Sequence, residues 1–502
     1  MRPVEKPTKF VPTLAEGTMS APITQSAPKV TPSTLRIAGA TDVPSRVVSP
    51  PRKRVLFIPA SIRSHVVPTL FVAGLLAAEY DVFYAVTNSV LATIVSENGF
   101  TPVLNRALWV NFGMESQYLE SQGRSAGFWP VVRAVWTNEI YWQRKLELDA
   151  LLDQVKPAVV IIDIFSSADF LVLYRYRSTV QLLFCNPMLS TYRVSNFPIV
   201  SEASWFSAPP PVNQPARFNS RNVLRNPGAA VLEVAVRHQT AKLTQLAGLT
   251  AEHQLVDTVF SRLVTNVPEL VLAPLEFELS PEVKKPNQHY LGLCIRDTRI
   301  DTELDAAFEQ RWPEILARHH AGQRLVYCSF GTFYTGSDRA LLTFIATLLE
   351  AIGTVPDTQL VCSVNGLVVE TLQAMYAALP NVYFFRRVPQ LLVLERADAH
   401  ITHGGLGSVK ESIRHGVPML VYPLDIHYDQ PGNGLKIEHY GLGLRGDFEW
   451  ERPATLRTKL LRLLEDPAFR ASIARFRQTC AVRYPDEKVS EVLRTLLTVA
   501  AP

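Results

Sequence analysis

Apolar residues in this chain fall in short solid runs separated by longer stretches of helical spacing. Residues 55–59 form the first run, the pattern of a strand buried on both faces. A turn is expected over 61–65. A helix is expected over 66–78, with Leu70, Phe71, Gly74 and Leu75 on one face. The alternation continues with a strand at 81–86, a helix at 89–98, a strand at 101–104 and a strand at 158–162 closed by Asp163. Residues 186–228 are Pro-interrupted and read as loop, and 229–246 as helix. The later part repeats the theme, with strands at 325–329, 397–402 and 417–422 and helices over 452–482. Residues 486–500 form an amphipathic helix with Val489, Val492, Leu493 and Leu496 on one face. Strands alternating with helices imply an α/β protein with parallel sheets.

One stretch concentrates the chemistry. The run ending in Thr402 and His403 meets the turn Gly404-Gly405-Leu406-Gly407, then a helical pattern from Ser408 to His415 with Val409, Ser412 and Ile413 on one side. Gly416 suits the left-handed residue that stops a helix. Such a turn brings bare backbone N–H groups and the positive end of a helix dipole to one point, which suits phosphate. His403 can add a hydrogen bond or a charge there, and Glu411, one turn along, is within reach of a sugar hydroxyl. Asp429 and Gln430 leave the next strand at its carboxyl end, the usual mouth of an α/β site.

The same stretch resembles the nucleotide-sugar signature of the UDP-glycosyltransferase superfamily, Thr-His-x-Gly-x-x-Ser-x-x-Glu, Gly-Val-Pro-Met and Asp-Gln-Pro-x-Asn. Thr402, His403, Gly405, Ser408, Glu411, Gly416 to Met419 and Asp429 to Asn433 match. The resemblance implies a GT-B fold: two Rossmann-like domains facing across a cleft, the second holding a nucleotide sugar. It puts Gly405, Leu406, Gly407 and Ser408 on the donor. Residues 325–332 resemble Val-Tyr-x-Ser-Phe-Gly-Ser, which implies that Ser329, Gly331 and Thr332 meet the donor phosphates. Arg387-Val388-Pro389-Gln390 resembles Trp-x-Pro-Gln. Arg387 stands where the family's Trp stacks on uracil, and a guanidinium can also lie flat on a base. Val388 would offer its backbone to the base and Gln390 its side chain to the ribose. A second glycine string, Gly441 to Gly446, fits G-x-G-x-x-G but lacks a strand-then-helix context and reads as a turn.

His65 lies between the first strand and the first helix, where a parallel sheet places its chemistry. Ser64-His65-Val66-Val67-Pro68-Thr69-Leu70 resembles the family's Gly-His-x-x-Pro-Thr-Leu, whose His is the general base; Ser64 replaces the Gly. An imidazole base works best with a carboxylate on its other nitrogen. Asp163 is the first candidate, and the resemblance agrees; Asp169, in the following helix, is the second. Residues 105–145 hold Trp109, Phe112, Phe128, Trp129, Trp136 and Trp142, including four of the chain's seven Trp. In the family this region lines the acceptor pocket, so Trp109, Phe112, Phe128 and Trp129 are expected to face a flat or lipophilic acceptor; packing between helices is the alternative for any one ring.

Composition adds boundaries. Residues 1–54 carry nine Lys or Arg against three Asp or Glu, a surplus of six, so of the net +4 the remainder is near −2. Nothing in the body calls for nucleic acid. The five cysteines show no ligand spacing and are expected as buried thiols in a reducing, cytoplasmic setting. No apolar run reaches membrane-spanning length, and no signal core opens the chain. The expected organisation is a disordered Pro/Ser/Thr-rich tail (1–52), an acceptor domain (53–283), a linker (284–289), a donor domain whose first strand begins at Tyr290 (290–484), and a final helix returning to the first domain (485–502). The expected partners are a small-molecule acceptor and a nucleotide-sugar donor, UDP-glucose foremost, with no metal and no resident cofactor. Gln430 points to glucose by family habit. The alternatives are another GT-B activity such as epimerisation, a glycolipid-forming transferase in peripheral contact with a membrane, and a non-catalytic helper protein.

Overall fold

The computed structural model describes residues 52–105, 112–205, 227–330, 338–364 and 366–498. The strands of the first half are β1 (Lys53–Ile58), β2 (Tyr80–Val86), β3 (Thr101–Leu104), β4 (Val159–Asp163), β5 (Gln181–Asn186), β6 (Leu255–Asp257), β7 (Arg262–Val264), β8 (Glu269–Val271) and β9 (Gln288–Tyr290). The second half adds β10 (Arg324–Ser329), β11 (Thr358–Ser363), β12 (Val382–Phe385), β13 (Ala399–Thr402), β14 (Met419–Val421) and β15 (Gly443–Arg445). Among the described residues they build a sheet of order β3-β2-β1-β4-β5-β8-β9, a sheet of order β12-β11-β10-β13-β14-β15 and the small β6-β7 pair. All pairings within the two large sheets are parallel.

Strand order reverses once at the centre of each large sheet. From β1 the chain moves outward to β2 and β3, then returns to β4 on the other flank; from β10 it moves to β11 and β12, then returns to β13. Connections leaving the paired central strands diverge, which opens a crevice at their carboxyl ends. His65 follows β1, Asp163 ends β4, and the glycine turn follows β13. Both chemical centres foreseen in the sequence thus sit at reversal points.

Several details differ from expectation. The first helix is Arg63–Leu76, beginning before the residues expected to open it, because the Ile62 carbonyl accepts the N–H groups of His65 and Val66. His65 therefore lies in the first helical turn. Residues 284–289 are not simply a linker: Gln288–Tyr290 pairs with β8 as the outermost strand of the first sheet. Tyr290 consequently closes the first sheet and does not begin a strand of the second. The string at Gly441, read as a turn, turns once and then forms edge strand β15 beside β14. The tail at 1–51 lies outside the described residues.

The two sheets share an apolar seam. Leu189, Val200, Val271 and Ala273 of the first half pack in one cluster with Leu406, Val409, Ile413, Val421 and Ile437 of the second. The final helix, Asp486–Thr498, buries Val489, Leu493 and Leu497 against Leu70, Ala73 and Leu76 of the first helix. Across the seam, the helix Gln430–His439 approaches the first half so closely that a Cβ on Gly432 would sit 1.9 Å from the Val200 carbonyl oxygen. A backbone carbonyl cannot swing aside like a flexible side chain. Gly432→Ala is expected to lower stability by about 1–3 kcal/mol, as overpacking does. Gly407→Ala, whose Cβ would meet open space, should leave the urea midpoint unchanged or slightly raised. Equal midpoints for the two variants would show that the Val200 loop yields.

Candidate active site

His65 and Asp163, ninety-eight residues apart in sequence, meet where β1 and β4 lie side by side; His65 Nδ1 stands 2.8 Å from Asp163 Oδ2. The other carboxylate oxygen accepts the Phe165 N–H at 2.8 Å, so both acceptors of Asp163 are engaged. Both side chains are buried, His65 at 5% and Asp163 at 1% exposure. With Nδ1 donating to the carboxylate, Nε2 of the neutral ring is left as the proton acceptor. Asp169, the second candidate, is committed elsewhere: it receives Arg144 Nε at 2.8 Å and a further bond from the same guanidinium, with no exposure to solvent. Burial raises the Asp169 carboxyl and Arg144 opposes it.

Aromatic rings near the base come from places the sequence did not single out. Phe165 lies 4.6 Å from the His65 ring, Phe260 6.0 Å from Phe165, and Tyr428 of the second half 6.2 Å from Phe260. These rings run from the base across to the loop carrying Asp429. Of the expected acceptor residues, Trp109 lies outside the described residues. Phe112 packs into the first-half core. Phe128 and Trp129 are exposed on the helix Phe128–Thr137, in edge contact with each other. Among the described residues, the ring beside His65 is instead Phe165. Trp136 stacks on His238 with centroids 4.0 Å apart, the helix-packing alternative.

In the second half, the glycine turn is built as its residues require. Gly404 has φ +85°, open to glycine at no cost. A Cβ on Gly405 would sit 2.4 Å from His403 Nε2, so the imidazole lies directly against the turn. The helix Leu406–His415 starts there, with Gly405 as its N-cap and no side chain capping it. His403 Nδ1 is buried without a hydrogen-bond partner among the described residues. Burial lowers the His403 pKa to about 4, so at neutral pH it offers a hydrogen bond and no charge. Asp429 bonds Asn433 Nδ2 at 2.8 Å; burial raises its carboxyl, with Asn433, its own backbone and nearby His65 pulling the other way. Gln430 is turned onto its own loop, its Oε1 accepting the N–H groups of Leu424 at 2.8 Å and Asp425 at 3.1 Å.

Glu411 and Gln390 are joined. Gln390 Nε2 donates to Glu411 Oε2 at 2.7 Å and to Ser408 Oγ at 3.2 Å, while its Oε1 accepts Tyr327 Oη at 3.1 Å. The other Glu411 oxygen receives Arg299 at 2.6 Å, a contact with no local signal in the sequence. Arg387 is half-buried beside Glu303 and Asp301, burial lowering its pKa and those acids raising it. Val388 is buried. Gly331 and Thr332 lie outside the described residues. Ser329, expected at the donor phosphates, has its side chain turned away from the surface. Its Oγ faces inward, 2.9 Å from His400 Nε2, and His400 Nδ1 is 2.7 Å from Ser412 Oγ. An inward-pointing strand residue with a buried imidazole neighbour satisfies that neighbour first.

A family profile described as "Erythromycin biosynthesis protein CIII-like, C-terminal domain" matches residues 346–496. Aclacinomycin-T 2-deoxy-L-fucose transferase of Streptomyces galilaeus is 34% identical over 135 residues, 27% of this chain and 29% of that protein. The chain thus spans less than a third of that relative's length in the alignment. The solved glycotransferase of kitacinnamycin superposes over 89% of this chain and all of its own, with TM-score 0.61 at 20% identity. The chain has the GT-B fold of that glycosyltransferase. The spinosyn rhamnosyltransferase SpnG complexed with thymidine diphosphate shares the fold, with TM-score 0.55 at 17% identity over 88% of this chain and 99% of its own. No described helix of this chain is long and apolar enough to cross a membrane.

Burial holds His400 neutral, its pKa lowered to about 3, with His403 adding to the effect. The unfolded chain takes up a proton near pH 6.5 and the folded chain does not. The stability contributed by this neutral imidazole is therefore complete above about pH 6.5 and is lost as pH falls toward 3, at about 1.4 kcal/mol per unit. Between pH 7 and 5 the protein should lose about 2 kcal/mol more than His400→Gln does. Parallel urea-denaturation curves at the two pH values measure this, and identical slopes would refute it.

Proposed function

We propose that this protein transfers a hexose, glucose foremost, from a nucleoside diphosphate sugar to a hydroxyl of a lipophilic or aromatic small molecule, inverting the anomeric centre. The observation that carries this reading is the buried His65–Asp163 pair at one sheet's reversal point, joined by the rings Phe165, Phe260 and Tyr428 to the loop of the second half that carries Asp429. In this reading His65 Nε2 takes the acceptor proton while Asp163 holds Nδ1 and stabilises the imidazolium. The acceptor oxygen bonds to the anomeric carbon as the bond to the diphosphate breaks. The leaving charge meets the N–H groups at the start of Leu406–His415 and the neutral His403. Asp429 takes sugar hydroxyls, and Gln430 has only its amide N–H groups left to offer, its oxygen being engaged. Phe165, Phe260 and Tyr428 give a flat acceptor a wall beside the base.

Arg387 leaves the choice of base to experiment, and the thymidine diphosphate bound to SpnG supports testing thymine beside uracil. The protein would be incubated with UDP-glucose and TDP-glucose and a panel of phenolic and lipophilic alcohols, following nucleoside diphosphate release and product mass. A product heavier by one hexose is expected. His65→Ala should cut kcat by about 10²–10⁴-fold with donor affinity within about twofold, and Asp163→Asn by a smaller factor. An equal loss of turnover and donor affinity in His65→Ala would sink the base assignment.

A second reading is favoured by one observation. Trp129, Trp142 and Leu146 stand 67%, 48% and 67% exposed on helices of the first half, which suits an acceptor held at a lipid surface. Co-sedimentation with anionic vesicles would support it; a protein that stays in the supernatant would remove it.

A further inference from the structure

The donor site as read above draws on a residue outside both sheets. Residues 291–305 connect β9 to the second half, and a run of polar contacts fastens them to the first. Asn98 Nδ2 donates to the Ile300 carbonyl at 3.0 Å, and Asn98 Oδ1 accepts the Ile300 N–H at 3.0 Å. Arg296 reaches the Asn98 carbonyl at 3.0 Å. Arg63, two residues before His65, bonds Thr302 Oγ1 at 3.2 Å and pairs with Glu303. Arg299 therefore projects from an anchored segment. Its Nε and Nη2 grip both oxygens of Asp301 at 2.9 and 3.4 Å, which leaves Nη1 to bond Glu411 Oε1 at 2.6 Å. The Arg299 side chain is 8% exposed and that of Glu411 9%.

We propose that Arg299 is a positioning residue for the donor ribose, acting through Glu411; this rests on the nucleotide-sugar reading of the same site. A carboxylate offers about four acceptor positions over its two oxygens. Among the described residues each oxygen of Glu411 holds one donor, Arg299 on Oε1 and Gln390 on Oε2. One position on each oxygen remains, a match for the vicinal 2′ and 3′ hydroxyls of a ribose. The two donors also fix the plane of the carboxylate, and the guanidinium supplies the counter-charge that a buried carboxylate requires. Because the segment is pinned to Arg63 and Asn98, the first half of the molecule sets the orientation of a ligand-binding acid in the second. Without Arg299, Glu411 would keep only the Gln390 bond and could rotate, and the hydroxyl nearer Oε1 would lose its acceptor.

The test compares nucleotides that differ only at the 2′ position: UDP with 2′-deoxy-UDP, and ribothymidine diphosphate with thymidine diphosphate. Affinities are measured by calorimetry on the full chain, with no acceptor present. The unmodified protein should favour the ribose member of the better-bound pair by about tenfold, the worth of one charge-assisted hydrogen bond. In Arg299→Met that preference should fall to about threefold or less. Arg299→Lys should lie between, since an ammonium cannot hold Asp301 by two bonds and reach Glu411 at once. If Arg299→Met fails to fold, the Lys variant alone decides. An unchanged ribose preference in a folded variant, with both members weakened alike, would assign Arg299 a purely structural role and overturn the inference. An unmodified protein that binds none of the four nucleotides would overturn the donor-site reading beneath it. One that binds them but transfers no sugar would leave Arg299 to be judged by the preference and count against the proposed reaction alone.

Discussion

Burial of one short helix between two sheets is the contact on which the rest of the site depends. Leu406–His415 turns Leu406, Val409 and Ile413 into the apolar seam shared by both halves. Its buried Lys410 reaches across to the Leu272 carbonyl at the end of β8. The same ten residues present the free N–H groups at the helix start and the Glu411 carboxylate one turn on. A helix of 3.6 residues per turn can divide these duties, because packing and ligand-facing positions fall on different sides. Were this helix held by its own sheet alone, the glycine turn could drift from His65. Fastened to both, it keeps the two reversal points at a fixed separation.

Histidines show how far surroundings govern function in such a seam. His400 sits wholly inside the second sheet, bonded on both nitrogens by serine hydroxyls, and serves packing. His403, three residues on, lies at the strand's end against the glycine turn, with Nδ1 unpartnered among the described residues. His65 has a carboxylate on one nitrogen and an aromatic ring over its face. The residue type is the same in each case. A base needs a counter-charge and an accessible nitrogen; of these three, His65 is the one with the carboxylate.

The sequence carried much of this because its decisive signals are local. A glycine turn between a strand and a helix, and an acid closing an apolar strand, depend on neighbours a few residues away, and the structure places His403 and Asp163 accordingly. Strand and helix positions near residues 80–104 were likewise readable from period alone. What sequence spacing could not supply were contacts set by the approach of distant segments. Ser329 reads like a phosphate ligand until His400, on the adjacent strand β13, claims its hydroxyl. Residues 284–289 read like a linker because a three-residue edge strand leaves almost no periodic trace. Arg299 looks like any solvated arginine until the segment around it is fastened at Asn98 and Arg63.

Asp163 and Asp169 show why geometry had to decide between equal chemistries. One ends strand β4 and the other lies six residues beyond it, and either could be imagined beside an imidazole. Asp163 is the last residue of β4, where its neighbour in the sheet is β1, so its side chain emerges beside the start of the helix bearing His65. Asp169 is one helical turn further, and helix Ala168–Leu173 packs on Glu139–Val155, from which Arg144 extends to meet it. A buried guanidinium left unpaired would cost several kcal/mol, so Arg144 holds Asp169 more firmly than a neutral imidazole could. The acid beside His65 is thus chosen twice: Asp163 by adjacency in the sheet, and Asp169 excluded by a cation with a stronger demand.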